Sequence, residues 1–262
     1  MKNIFNIQDD KRIQVYSRKT KKYYNTKLDV MLSGENMNDL EVVHDAGFWD
    51  TVNWSKEPTE TFEELLGRRC RQLRDKYNYL ILYYSGGSDS DTVLQSFINS
   101  GVHLDEVVVN RISFNDSDTP LKDIDLAIQK MKSYSKRIPL TKMTVNNITD
   151  KILSDFSDKQ QWINTPYNGT IGMMRRFTVQ DFSEYDQGLL IRKGTTAHIF
   201  GDLKPVLSYR NKKWYTLLTH WGTATNLVGE WFFTSKDLPE LHVKQCHMVK
   251  NYFTQHKINV ES

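Results

Sequence analysis

The chain has 262 residues, 39% of them hydrophobic and 26% charged, with a formal net charge of +3. That length can bury one large core, or a core with an appendage, while a charge so near neutrality does not by itself indicate nucleic acid as a partner. No apolar run approaches the roughly 20 residues of a membrane span, and the N-terminus lacks a signal-peptide core, so a cytoplasmic protein with no membrane partner is expected. Cys70 and Cys246 fall among apolar neighbours in helical segments, without a CxxC or Cys/His cluster. They read as packed thiols and not as metal ligands.

In chain order, residues 1 to about 30 alternate apolar and polar positions around the basic cluster Arg18-Lys19-Thr20-Lys21-Lys22. This is the pattern of a hairpin with a solvated basic turn. From Glu41 to Trp54, His44, Phe48, Trp49 and Trp54 recur without periodicity and predict irregular structure wrapped over the core. His44 and Asp45 have no partner motif and read as structural. A helix follows. Pro58 suits its first turn, Thr61 and Glu64 form a capping box, and Phe62, Leu65, Leu66, Cys70, Leu73 and Tyr77 line one face, leaving Arg68, Arg69, Arg71 and Arg74 mostly on the other.

The central stretch comes next. Tyr79 to Tyr84 is an apolar run of strand formers that feeds directly into Ser85-Gly86-Gly87-Ser88-Asp89-Ser90. Beyond that turn Thr92, Val93, Leu94, Phe97 and Ile98 recur at helical spacing, and Gly101 closes the helix. Strand, small-residue turn and helix, in that order, make a phosphate site: Gly86 and Gly87 let backbone N–H groups approach an anion, Ser85, Ser88 and Ser90 add hydroxyls, and the helix N-terminus adds about half a positive charge. Asp89 would repel phosphate alone, and makes sense if Mg²⁺ accompanies the phosphates. These residues match the SGGxDS loop of the PP-loop (N-type) ATP pyrophosphatases, also called adenine nucleotide alpha hydrolases. The motif is neither a Walker A loop nor GxGxxG.

Glu106 to Phe114 then reads as a second strand, Thr119 to Tyr134 as a helix, and Pro139 to Val145 as a third strand. Crossovers of these lengths imply a parallel sheet, with ligands beyond the carboxyl ends of its strands. In the resembled family adenine lies against the end of the second strand, which implies Ile112, Ser113 and Phe114. Residues 149 to 182 look helical with interruptions. Arg175 and Arg176, one turn into a helix, are either phosphate-facing or surface charges. Thr196 to Gly201 reads as a fourth parallel strand, and the loop after it resembles one that returns to the family's active site. There Gly201 would permit close approach to ligand, Asp202 would share Mg²⁺ with Asp89, and Lys204 would stand opposite the α-phosphate. The C-terminal third predicts a hairpin around Tyr209 to Tyr215, the aromatic stretch Trp231-Phe232-Phe233, and a last helix capped by Asp237 and Glu240. This end looks similar to phosphoadenylyl-sulfate reductase-like proteins carried by bacterial viruses, which would place the protein in a host cytoplasm.

The expected fold is therefore α/β, a three-layer α/β/α Rossmann-like arrangement of the adenine nucleotide alpha hydrolase type. Residues 1–57 would form an irregular extension, 58–205 the nucleotide-binding domain, and 206–262 an aromatic-rich extension packed on it. The resemblance implies an enzyme that cleaves ATP between its α- and β-phosphates, adenylylating a carbonyl or carboxyl of a small molecule or nucleobase. A separate protein would donate nitrogen or sulfur, and a homodimer is left open. With Lys at position 2, no N-terminal cysteine glutaminase is expected, and no Glu-Cys-Gly motif or tRNA-thiolation cysteine pair is present. Two alternatives remain: a nucleotide-sulfate reductase or sulfurtransferase, which needs a reactive thiol, and a nucleotide-binding module without turnover.

Overall fold

The computed structural model describes residues 13–24, 30, 32–112, 122–148, 196–201, 205–217 and 229–256. At the N-terminal end β1 (Ile13–Ser17), β2 (Tyr23–Tyr24) and β3 (Leu40–His44) form an antiparallel sheet in the order β2-β1-β3. The basic cluster forms the β1–β2 turn, as its polarity predicts, with the Lys21 N–H bonded back to the Ser17 carbonyl. The segment from Glu41, expected to be irregular, instead supplies β3 and a 3-10 stretch over Asp45–Thr51. Its strand pairs with β1 over five positions, a long-range partner that local periodicity does not reveal.

Helix α1 (Phe62–Lys76) starts at Thr61. The Thr61 hydroxyl accepts from the Glu64 N–H while the Glu64 carboxylate accepts from the Thr61 N–H, so both halves of the predicted capping box form. Pro58 lies ahead of this turn and not inside it. The chain then enters β4 (Tyr79–Tyr83), followed by α2 (Ser88–Ser100), β5 (Glu106–Ile112), α3 (Lys122–Tyr134), β6 (Lys142–Ile148) and β7 (Thr196–Phe200). An antiparallel hairpin of β8 (Val206–Arg210) and β9 (Lys213–Leu217) precedes β10 (Gly229–Trp231) and α4 (Pro239–Gln255). The third strand begins at Lys142, three residues later than its apolar start suggests, because it registers with Glu106 of β5; Asn146 and Asn147 continue the ladder.

The main sheet has five parallel strands in the order β10-β7-β4-β5-β6. From β4 the chain steps outward to β5 and β6, then returns to the other side of β4 for β7 and β10. The order reverses between β4 and β7, and it is at the carboxyl ends beside such a reversal that open parallel sheets bind ligands. The fold is thus α/β and Rossmann-like, and its sheet continues past residue 205 into β10.

Leu80, Leu82 and Tyr84 alternate onto one sheet face, where they join Val107, Val109, Ala197 and Ile199. The same cluster takes in Leu65, Cys70 and Leu73 of α1, Val93, Leu94 and Phe97 of α2, and Ala127 and Met131 of α3. Each fully buried leucine or phenylalanine there contributes about 1.5–3 kcal/mol. Ile81 and Val108 are buried on the opposite face with Tyr79 and Tyr83 packed against them. Burial on both faces explains the continuous apolar run of the central strand.

Arg69 corrects the expectation that the α1 arginines are surface decoration. It is wholly buried, donating to the Glu230 carboxylate at 2.7 Å and to the Trp231 carbonyl at 3.2 Å. Lys76 and the Tyr77 hydroxyl reach the other Glu230 oxygen. Burial alone would raise the Glu230 pKa, but Arg69, Tyr77 and Lys76 hold it below the usual carboxylate range. The group ties β10 to α1. At the start of α4, the expected Asp237 cap is also displaced: Leu238 is the N-cap, Asp237 pairs with Lys76 and Glu240 with Arg68.

Candidate functional site

The Ser85–Ser90 loop leaves β4 at the reversal of strand order, the place where open parallel sheets bind ligands. The Tyr84 N–H still bonds the Val108 carbonyl at 2.8 Å, so the ladder with β5 runs up to the loop itself. Gly87 is then the N-cap of α2, in an extended conformation and without a side-chain capping bond. The Ser85, Gly87 and Ser88 positions are exposed, and Asp89 is half-buried, its Oδ1 accepting from the Ser88 hydroxyl at 3.2 Å.

The two glycines serve different ends. Gly86 has φ +78° and would carry its Cβ 2.7 Å from the Ala127 Cβ of α3. No L side chain fits there, so Gly86 is required by the fold. Gly87 has an ordinary φ of −73°, and a Cβ on it would meet only the Ser85 Oγ, at 3.5 Å. Nothing among the described residues forces glycine at this exposed position, and the space it leaves open lies on the outer side of an uncapped helix N-terminus.

Ser90 is buried, and its hydroxyl is engaged within the loop. It accepts from the Ser85 N–H at 3.2 Å, lies 3.1 Å from the Ser85 Oγ, and donates to the Gly87 carbonyl at 3.2 Å. It shapes the loop instead of reaching outward as expected. Gly201, just past β7, packs on the loop itself. A Cβ there would stand 3.0 Å from the Asp89 carbonyl carbon and the Ser90 nitrogen. The glycine lets the first turn of α2 rest on the end of β7, and so sets the loop's height over the sheet.

Sequence reasoning missed Asp91. Its Oδ1 accepts from the Tyr84 hydroxyl at 2.8 Å and the Tyr134 hydroxyl at 3.1 Å, with Lys130 at 3.7 Å. Burial and the Asp91 charge push both tyrosine pKa values up, so both phenols stay protonated donors. The carboxylate draws α3 against the loop and presses Ala127 under Gly86. In sequence an acid in a helix's first turn looks like ordinary dipole compensation, and Tyr134 lies 43 residues away.

On the second sheet face, Tyr83 stacks on Phe200 at 4.8 Å and shares a 3.0 Å hydrogen bond with His198 Nδ1. Burial lowers the His198 pKa to about 4, leaving a neutral ring. For the expected adenine contact, only the backbone of Ile112 is described, as the last residue of β5. Phe114, Arg175, Arg176, Asp202 and Lys204 lie outside the described residues. Among the described residues no group of three His, Cys, Asp or Glu side chains stands together to hold a metal. Mg²⁺ bound with phosphates needs only one or two carboxylates from the protein, and Asp89 is one at the loop.

Neither cysteine offers the thiol that the reductase alternative requires. Both are buried, and burial pushes Cys70 up to about 12 and Cys246 up to about 11. Thiolate chemistry needs the reverse shift together with access. A separate cleft of about 470 Å³ opens among Phe48, Lys56, Glu57, Glu60, Glu240 and their neighbours, away from the loop. Its carboxylates are already paired: Glu57 with Lys244, and Glu60 and Glu240 with Arg68.

No protein-family model matches the chain, and no curated protein matches it. Among solved structures, it resembles the NH3-dependent NAD synthetase from Campylobacter jejuni subsp. jejuni NCTC 11168, in complex with the nitrate ion. That likeness has a TM-score of 0.33 and 11% identity, and covers 55% of this chain and 57% of that one. It also resembles the glutamine-dependent NAD+ synthetase from Acinetobacter baumannii, in complex with adenosine diphosphate, with a TM-score of 0.32 and 14% identity, over 70% of this chain and 29% of that one. The chain thus spans little more than half of the first and under a third of the second. Neither supports a placement beside the virus-borne reductase-like proteins.

Proposed function

We propose that this protein is an ATP pyrophosphatase that binds ATP at the Ser85–Ser90 loop and adenylylates a carbonyl or carboxyl acceptor. In the reaction an acceptor oxygen bonds to the α-phosphorus, the bond from that phosphorus to the bridging oxygen breaks, and pyrophosphate leaves with the electron pair. The observation that carries this reading is the uncapped N-terminus of α2, with Gly87 open beside it, at the reversal of strand order. Such an end offers N–H groups and a partial positive charge to an anion held there.

In this reading Ser85, Gly86, Gly87 and Ser88 cradle the β- and γ-phosphates, and Ser90 keeps the loop in shape for them. Asp89 holds Mg²⁺, which screens the charge on the phosphates, and Asp202 shares it. Ile112 and Phe114 border the adenine, and Gly201 holds the loop at its height. Lys204, Arg175 and Arg176 stabilise the transferring group. The acceptor is a small molecule or nucleobase, with a separate nitrogen or sulfur donor. Positioning and charge stabilisation account for catalysis of this kind, so no protein nucleophile is required.

The test is calorimetric titration of Mg-ATP, AMP and 3′-phosphoadenylyl sulfate into the wild type and Asp89→Ala, alongside an assay of pyrophosphate release. The expected result is Mg-ATP binding that weakens at least tenfold in the variant, with release abolished while the protein stays folded. Retained release in Asp89→Ala would remove the metal role. A Mg²⁺-independent preference for the nucleotide sulfate would favour the reductase reading, and binding without turnover the non-catalytic module.

A further inference from the structure

The β8–β9 hairpin takes no part in the nucleotide reading, yet its two faces are sharply unlike. The inner face is fixed to α4. Tyr209 packs on Trp214 at 5.1 Å, Trp214 on Phe253 at 6.3 Å, and the Cys246 thiol donates to the Thr216 hydroxyl at 3.5 Å. Alternation sends Ser208, Arg210, Lys213 and Tyr215 to the outer face. There Arg210 is registered directly opposite Lys213, and Ser208 opposite Tyr215. Both cations are exposed, and Tyr215 is 44% exposed.

Two features of this hairpin work against its own stability. Like charges directly opposite across a strand pair repel. The two-residue turn has Asn211 at φ 52° and Lys212 at φ 59°, and Lys, unlike Asn or Gly, is poorly suited to that left-handed region. No ion pair joins Arg210, Lys212 or Lys213 to a carboxylate among the described residues. Three exposed cations beside an exposed aromatic ring, on a ribbon anchored from behind, match a polyanion that also presents flat faces.

We propose that the outer face of this hairpin binds single-stranded nucleic acid, with Arg210, Lys212 and Lys213 against phosphates and Tyr215 stacked on a base. The phosphates relieve the Arg210–Lys213 repulsion, and the ring supplies a sequence-tolerant platform. An acidic protein surface would use the cations but not the ring. A lipid surface would want apolar residues at the tip, which is Asn211-Lys212. The chain's small net charge is no obstacle, because the cations are concentrated on one turn.

The test is fluorescence anisotropy with a labelled 15-nucleotide thymidine strand between 50 and 200 mM salt. Three phosphate contacts predict a log–log salt slope of about −2. Replacing all three cations by glutamine should abolish the salt dependence and weaken binding more than about tenfold. Tyr215→Ala should weaken it about tenfold with the slope unchanged. Lys212→Gly installs the Asn-Gly turn that such hairpins favour, so Tm should hold or rise while the slope falls by about 0.7. Binding that ignores the triple replacement would overturn the proposal, as would a Tyr215→Ala variant that binds like wild type. Anisotropy that stays flat while phosphatidylserine vesicles bind would overturn it in favour of a membrane surface.

Discussion

Helices α1 and α2 pack against each other on the same sheet, and they end differently. At its N-terminus α1 meets its own needs through Thr61 and Glu64, and its buried Arg69 is neutralised by Glu230. Helix α2 begins on a glycine without a side-chain cap, in a loop whose Ser85 and Ser88 positions face outward. The first end is closed by its own side chains, while the second has no side-chain cap and, in the function proposed above, receives the phosphates. Disturbing the first should therefore cost stability, and disturbing the outer side of the second should cost binding.

The largest effect expected is at Arg69. Arg69→Met leaves Glu230 buried without its main partner and should cost about 3–5 kcal/mol in chemical denaturation, with nucleotide binding retained by the folded fraction. The double variant Arg69→Met/Glu230→Leu should recover much of that loss, because the stranded carboxylate is then gone too.

A pH series examines the same interior. His198 and His242 are both held to about 4 by burial, below the ordinary value of about 6.5. Between those limits the unfolded chain binds protons that the folded chain does not, so stability falls as pH drops from about 6.5 towards 4. The loss is about 3 kcal/mol per histidine at the lower end. Urea midpoints across this window should fall steeply, and less steeply in His242→Gln.

Gly86→Ala forces a methyl group into Ala127 at a left-handed φ, and should cost about 2 kcal/mol together with nucleotide binding. Thr61→Ala removes one half of the α1 capping box. It should cost about 1 kcal/mol and leave binding alone. Gly87→Ala is the smallest change and the sharpest discriminator. Its stability should stay within about 0.5 kcal/mol of wild type, while calorimetry shows nucleotide affinity at least tenfold weaker. A Gly87→Ala variant that binds nucleotide normally would mean that the open side of the loop is not the ligand's side.

Whatever rests on neighbours in the chain is legible in the residues directly. The β4 strand, the Ser85–Ser90 turn, the capping box at Thr61 and Glu64, the helix ending at Gly101 and the hairpin around Asn211-Lys212 are each specified by residues within one or two turns of one another. Their propensities and spacing are enough to find them. Which polar groups face inward depends on contacts between distant segments. Arg69 reads locally as one of four surface arginines, yet Glu230, 161 residues later, pairs with it in the interior. Ser90 and Gly201 read locally as ligand contacts, yet the Ser85 amide engages the Ser90 hydroxyl and the first turn of α2 packs on Gly201. Asp91 gains its structural role only where Tyr134, distant in the chain, reaches it. Even β3 and β10 became strands only because β1 and β7 offered them partners. The reason is common to all of these: burial and pairing belong to the meeting of distant segments, and no local pattern records which segments will meet.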